Sequence, residues 1–209
     1  MDLMDLMSSL NDLIDYEFEL TEDGHIPPSV LRWFNACSND LTDAARYPGR
    51  ATFDYIPTVG EITLPVDFYK PIPEGFLFFE GYPLPELDLR QNTRYGFRRW
   101  GRVLYLQGLT KEGTLSIYYY KKLPKFTGDP TEVPVIPARF QEAYALFAAM
   151  RFMQFERDEM DSKADFHGEY EMMKRDLDIY TMSQDTAPYP TIRDAEKIRY
   201  SNSEWEDEI

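Results

Sequence analysis

Three places in the chain carry side chains of the kinds that do acid–base, metal or thiol chemistry. Asp165-Phe166-His167 offers a carboxylate two residues from an imidazole, Asp158, Glu159 and Asp161 offer clustered oxygen ligands, and Cys37 is the single thiol. Each has a plainer reading. Residues one and two apart on a helix do not share a face, so Asp165 and His167 diverge and leave a half-exposed helical His. The three carboxylates fall at a helix–helix turn, where capping is their commoner work. Cys37 sits in an apolar helical pattern without the basic neighbours that activate a thiol, which suits a small buried hydrophobe. With His25 and His167 as the only imidazoles, a zinc site would need help from carboxylates. Phosphate-loop, dinucleotide, nucleophile-elbow, H-E-x-x-H and EF-hand patterns are absent. The abundant acids make some carboxylate pair inevitable, so a glycan hydrolase is the weakest reading. The sequence therefore predicts a protein that is not an enzyme, with no cofactor and no metal.

Charge is the stronger signal. Lys plus Arg number 22 against 37 Asp plus Glu in 209 residues, a net charge of -15, which disfavours generic binding to nucleic acid or anionic membranes. Residues 89–125 invert this: Arg90, Arg94, Arg98, Arg99, Arg102, Lys111, Lys121, Lys122 and Lys125 face only Glu112 there, a net of +8, leaving 13 basic against 36 acidic residues elsewhere. Tyr95, Phe97 and Trp100 are interleaved with the arginines, as on surfaces that meet phosphate and stack on bases. Three readings stand side by side: pairing with acidic helices of the same or a neighbouring subunit, contact with a polyanion, or a solvated face. A ring would reconcile the signs by gathering the basic segments on an inner wall. The alternative is a nucleic-acid binding module using residues 90–125.

These residues must be positioned by elements that the periodicity marks out. Leu3, Leu6, Met7, Leu10, Leu13, Ile14 and Phe18 recur at helical spacing over residues 3–20, and residues 1–24 carry eight acids and no base. This helix reads either as packed on the domain or as a docking arm. A second helix runs from about Pro28 to Tyr47 and stops at Pro48-Gly49. Residues 51–123 change period to short aromatic and β-branched runs bounded by Gly or Pro, a β region. Its expected hairpin pairs Arg102 to Gln107 with Thr114 to Tyr120 through residues 108–113. Leu115, Ile117 and Tyr119 share one face of the second strand, and Ser116, Tyr118 and Tyr120 the other. A proline-punctuated connector spans residues 124–137, followed by helices over about 138–156 and 160–182. The fold class is thus α+β: N-terminal helices, a central antiparallel β region with a protruding hairpin, a C-terminal helical pair and an extended tail. The expected divisions are an acidic N-terminal helix at 1–24, a domain at 25–183 and a tail at 184–209. No secretory signal is read at the N-terminus, and no apolar run approaches the ~18 residues of a spanning helix. A soluble protein made in the cytoplasm is expected.

Ile62-Thr63-Leu64-Pro65-Val66-Asp67-Phe68, the Arg102 to Gln107 strand, Gly113-Thr114-Leu115-Ser116-Ile117-Tyr118-Tyr119-Tyr120, and Pro134-Val135-Ile136-Pro137-Ala138-Arg139-Phe140 opening an alanine-rich helix follow one another in order. With a second helix containing Phe166 and Tyr170, this layout over about residues 28–183 resembles the head-to-tail adaptor (connector, neck) proteins of tailed bacteriophages. The resemblance implies a structural virion protein, a homo-oligomeric ring of about twelve subunits added beneath the portal after packaging. It would extend the channel for genome ejection, pass genomic DNA without sequence specificity, and carry the next neck or tail protein. It implies synthesis in the host cytoplasm and a place in the virion neck, with no membrane. Arg94, Arg98, Arg99, Arg102 and Lys111 then become candidates for the DNA channel or inter-ring contact. Family members grip the portal with a C-terminal helix or tail, which points to Ile192, Ile198, Tyr200 and Trp205 here. The long acidic N-terminal helix departs from the shorter adaptors and would be an added contact.

Overall fold

Asp2 opens the first helix by a reciprocal cap: its side chain accepts from the Asp5 amide at 2.8 Å while the Asp5 carboxylate accepts from the Asp2 amide at 3.1 Å. In a computed structural model that describes residues 1–73, 75–87, 95–156 and 160–184, helix α1 runs Leu3–Ile14 and helix α2 Pro28–Ala45. Strands β1 (Pro48–Tyr55), β2 (Glu61–Thr63), β3 (Phe68–Pro71), β4 (Leu77–Phe79), β5 (Tyr82–Pro83), β6 (Gly96–Trp100), β7 (Val103–Gln107) and β8 (Gly113–Lys121) follow. A 3-10 turn at Ala138–Phe140 leads into α3 (Ala143–Glu156), and α4 spans Met160–Gln184. The described chain divides into a helical unit, residues 1–47 with 122 through α4, and a β unit, residues 48–121.

In the helical unit α3 is the centre. Every residue from Ala143 to Met150 is buried, as expected of a helix that is apolar all round. Its alanines let neighbours approach on several sides: α1, α2 and α4 all pack on it. Leu3, Leu6 and Leu10 of α1 are fully buried in this core, so the apolar stripe of α1 is occupied within its own unit. The helix is shorter than the expected 3–20. Asp15 adopts a left-handed conformation at the C-cap, and Asn11 then brackets the backbone of Phe18, accepting from its amide at 3.1 Å and donating to its carbonyl at 3.2 Å. Phe18 thereby leaves the helical stripe and packs with Tyr16, Trp33 and Phe152. The proline connector is fastened at Phe126 by a similar device, the Asn35 side chain pairing with both backbone groups of that residue. Buried Gln141 donates to the carbonyls of Pro134 and Ile136, both at 3.1 Å. That fastening accompanies a 3-10 turn at Ala138–Phe140, and α3, expected from Ala138, starts at Ala143.

In the β unit β8 is the spine. β1 runs antiparallel along its whole length, from Pro48 opposite Tyr120 to Tyr55 opposite Gly113, and β3 and β4 take its other edge. A second, three-stranded sheet has the order β2-β7-β6. Leu115, Ile117 and Tyr119 of β8 share a buried cluster with Ile62, Phe97 and Leu104 of that sheet. The other face of β8 is also covered, Tyr120 clustering with Ile72 and Tyr118. This corrects the expected hairpin. The strand at 103–107 does not pair with the strand at 113–121; β7 pairs with β6, and residues 108–112 cross between sheets. Both edges of β8 are already filled, and Gly101, with φ of 59°, supplies the positive φ that a two-residue hairpin loop needs at its first position.

Candidate functional site

The β6–β7 hairpin carries the basic aromatic residues. Alternation along a strand sends successive side chains to opposite faces, so Phe97 goes into the core at 2% exposure while Arg98 and Trp100 go to the outer face. Trp100 is 79% exposed, the largest exposure of any aromatic side chain described. Tyr105 lies opposite Arg98 on β7 and opposite Glu61 on β2, which completes an outer face of Glu61, Tyr105, Arg98 and Trp100. The Arg98 Nε is shielded from solvent and has no hydrogen-bond partner among the described residues. Arg99 shares the parity of Phe97 but lies near the strand end, where it is exposed.

Arg102 occupies the hairpin turn and is already engaged. One of its terminal nitrogens donates to the carbonyls of Leu64 at 3.0 Å and Pro65 at 2.6 Å, while the Leu64 amide donates to the Arg102 carbonyl at 2.8 Å. That residue ties the turn to the chain after β2. Lys111 is exposed in the crossover between β7 and β8, away from strand register with Arg98. Lys121 pairs with Asp67 at 3.9 Å, and Asp67 also accepts from the Tyr119 hydroxyl at 2.8 Å. Burial, reinforced by Asp67, pushes the Tyr119 phenol up to about 12. Arg94 and the tail residues Ile192, Ile198, Tyr200 and Trp205 lie outside the described residues.

The residues first considered for chemistry are placed apart. Asp165 and His167 are exposed while Phe166 packs inward. Cys37 is fully buried with its thiol toward the Ala143 carbonyl, and burial raises its pKa well above the ordinary value. Asp158 and Glu159 lie outside the described residues. Among the described residues no group of three or more His, Cys, Asp or Glu side chains could hold a metal ion, and no helix is long and apolar enough to cross a membrane.

Two features escaped the sequence reading. One is a polar cluster in the helical unit, where Asp40 of α2 accepts from the Tyr170 hydroxyl and, at 2.6 Å, from Lys174, both on α4. The other is the outer face of α4. Gly168, Met172, Arg175, Ile179 and Met182 recur at steps of four and three, and Met172, Ile179 and Met182 are 60%, 54% and 54% exposed, opposite the core side of Tyr170, Met173 and Leu177. That spacing was visible in the sequence.

The exposed Trp100, Tyr105, Met172 and Met182 are of residue types enriched at protein–protein interfaces. A family model described as SU10 adaptor protein matches residues 1–194. The chain belongs to that family and is a structural head-to-tail adaptor of a bacteriophage, with a part in an oligomeric ring of the phage neck. A search of curated proteins returns no match.

Proposed function

We propose that the subunits form a ring of about twelve copies, docked on the portal after packaging, which extends the DNA channel and carries the next neck or tail protein. The family match over residues 1–194 carries this reading. The charge distribution supports it: a net of -15 makes free subunits repel one another and DNA, so assembly calls for a template that raises local concentration. Alternation on β6 sends Arg98 and Arg99 to opposite faces of the strand, which supports giving them separate uses. Arg99, with Arg94 and Lys111, serves the channel wall or the adjoining ring, while Arg98 and Trp100 present a different face. Arg102 supports this surface by holding the turn, and Ile192, Ile198, Tyr200 and Trp205 supply apolar anchors for the portal.

Sedimentation of the purified chain, alone and mixed with portal particles from the same genome, tests the reading. Slow-sedimenting subunits alone and a stoichiometric ring complex in the mixture are the expected result. A chain that stays monomeric and never joins the portal overturns it.

A further inference from the structure

The outer face of β6 and the outer face of α4 carry groups of opposite charge, with an exposed aromatic on the first and an open spot on the second. On β6, Trp100 projects as an apolar knob with Arg98 two residues away on the same face, about 7 Å along the strand. On α4, Gly168 leaves open space where a side chain would stand, and Asp165, Glu169 and Met172 surround it as the walls of a shallow depression. Residues three and four apart on a helix stand about 5–6 Å from one another, close to the Trp100–Arg98 spacing. Met172 offers sulfur to an aromatic ring. Asp165, Glu169 and Asp176 on one flank of the stripe and Glu171 on the other offer carboxylates to a guanidinium, with Arg175 within the stripe.

We propose that Trp100 of one subunit seats in the Gly168–Met172 depression of a second copy of this chain, with Arg98 meeting the Asp165 and Glu169 carboxylates. The two patches differ and lie on different units of one chain, so the contact is heterologous and repeats head to tail, which is the geometry that generates rings. The charge complementarity selects the occupant: the β6 face lies in the one strongly basic segment of an otherwise acidic chain, and the α4 stripe is bordered by acids on both sides. This inference rests on the ring reading above and names the subunit faces that build it.

Gly168→Leu is the sharpest test, because filling the depression removes a glycine from a helix interior and so favours the fold. In the full-length chain mixed with portal particles, Gly168→Leu and Trp100→Ala are each expected to weaken ring formation by about tenfold or more, with the melting temperature of Gly168→Leu unchanged or raised. Arg98→Glu is expected to weaken it likewise, and adding Glu169→Arg in the same chain to restore most of the loss. Normal rings from both Gly168→Leu and Trp100→Ala overturn the proposal and leave the ring reading standing. Loss with Trp100→Ala but not with Gly168→Leu also overturns it, by showing that Trp100 does not seat at Gly168. A wild-type chain that never assembles removes the ring reading and this inference with it.

Discussion

Asp40, Tyr170 and Lys174 show how a few polar atoms tie two helices together. Burial alone would raise the Asp40 carboxyl, but the hydrogen bonds from Lys174 and Tyr170 outweigh it and hold the pKa below the ordinary value. Lys174 is the mirror case: burial works to lower it, and the bond to Asp40 carries it above its ordinary value. A carboxyl depressed on folding stabilises the fold above its unfolded pKa, about 3.9, and loses that contribution as pH falls through the lowered one. An ammonium raised on folding contributes below about 10.4 and loses its share as pH climbs through the raised value. Asp40→Asn should therefore flatten the acid limb of stability, so that the urea midpoint of the wild type falls more steeply than that of the variant below about pH 4. Parallel acid limbs would show that the cluster contributes nothing. Tyr170 was legible in the sequence as a core position because of its helical spacing. Its partner on α2 was not, because Asp40 precedes it by 130 residues and no local pattern links the two.

At the scale of elements, legibility followed from period. The stripe of α1 and the apolar runs of α2 and α3 mark their helices directly, since burial on one side or on all sides leaves a 3.6-residue signature. Ends and partners were harder. The α1 stripe includes Phe18 by spacing, yet the Asn11 bracket and the left-handed Asp15 end the helix at Ile14, a local hydrogen-bond choice that hydrophobicity does not encode. The expected strand pairing differs for a related reason: residues 108–113 were the one turn the sequence reading used, whereas Gly101 makes the turn that closes a hairpin, a choice that depends on β8 having its edges filled by strands distant in sequence. The difference is measurable. Gly101→Ala places a side chain at φ of 59° in open space, so its cost is conformational, about 1–2 kcal/mol. Gly60 has no positive φ and the same open surroundings, so Gly60→Ala should be neutral or slightly stabilising. Equal denaturant midpoints for the two variants would mean that the β6–β7 turn does not need its glycine.

For the whole molecule the deciding quantity is where apolar surface ends up. Among the described residues the buried core runs from Leu3 to Leu177, in clusters built within the helical unit and within the β unit. Residues 186–209 combine Pro188 and Pro190 with acids and only a few apolar side chains, Ile192, Ile198, Tyr200 and Trp205 prominent among them, too little to form a core of their own. A segment of that composition gains most by ordering on a partner, where one or two aromatic anchors can dominate the binding energy. Deleting residues 186–209 should accordingly leave the melting temperature within about 2 °C of the full chain while abolishing attachment to portal particles in co-sedimentation. A truncated chain that attaches normally would move the portal grip onto the helical unit or the β unit. One that melts early would make the tail part of the fold, and its apolar residues would then be counted with the core.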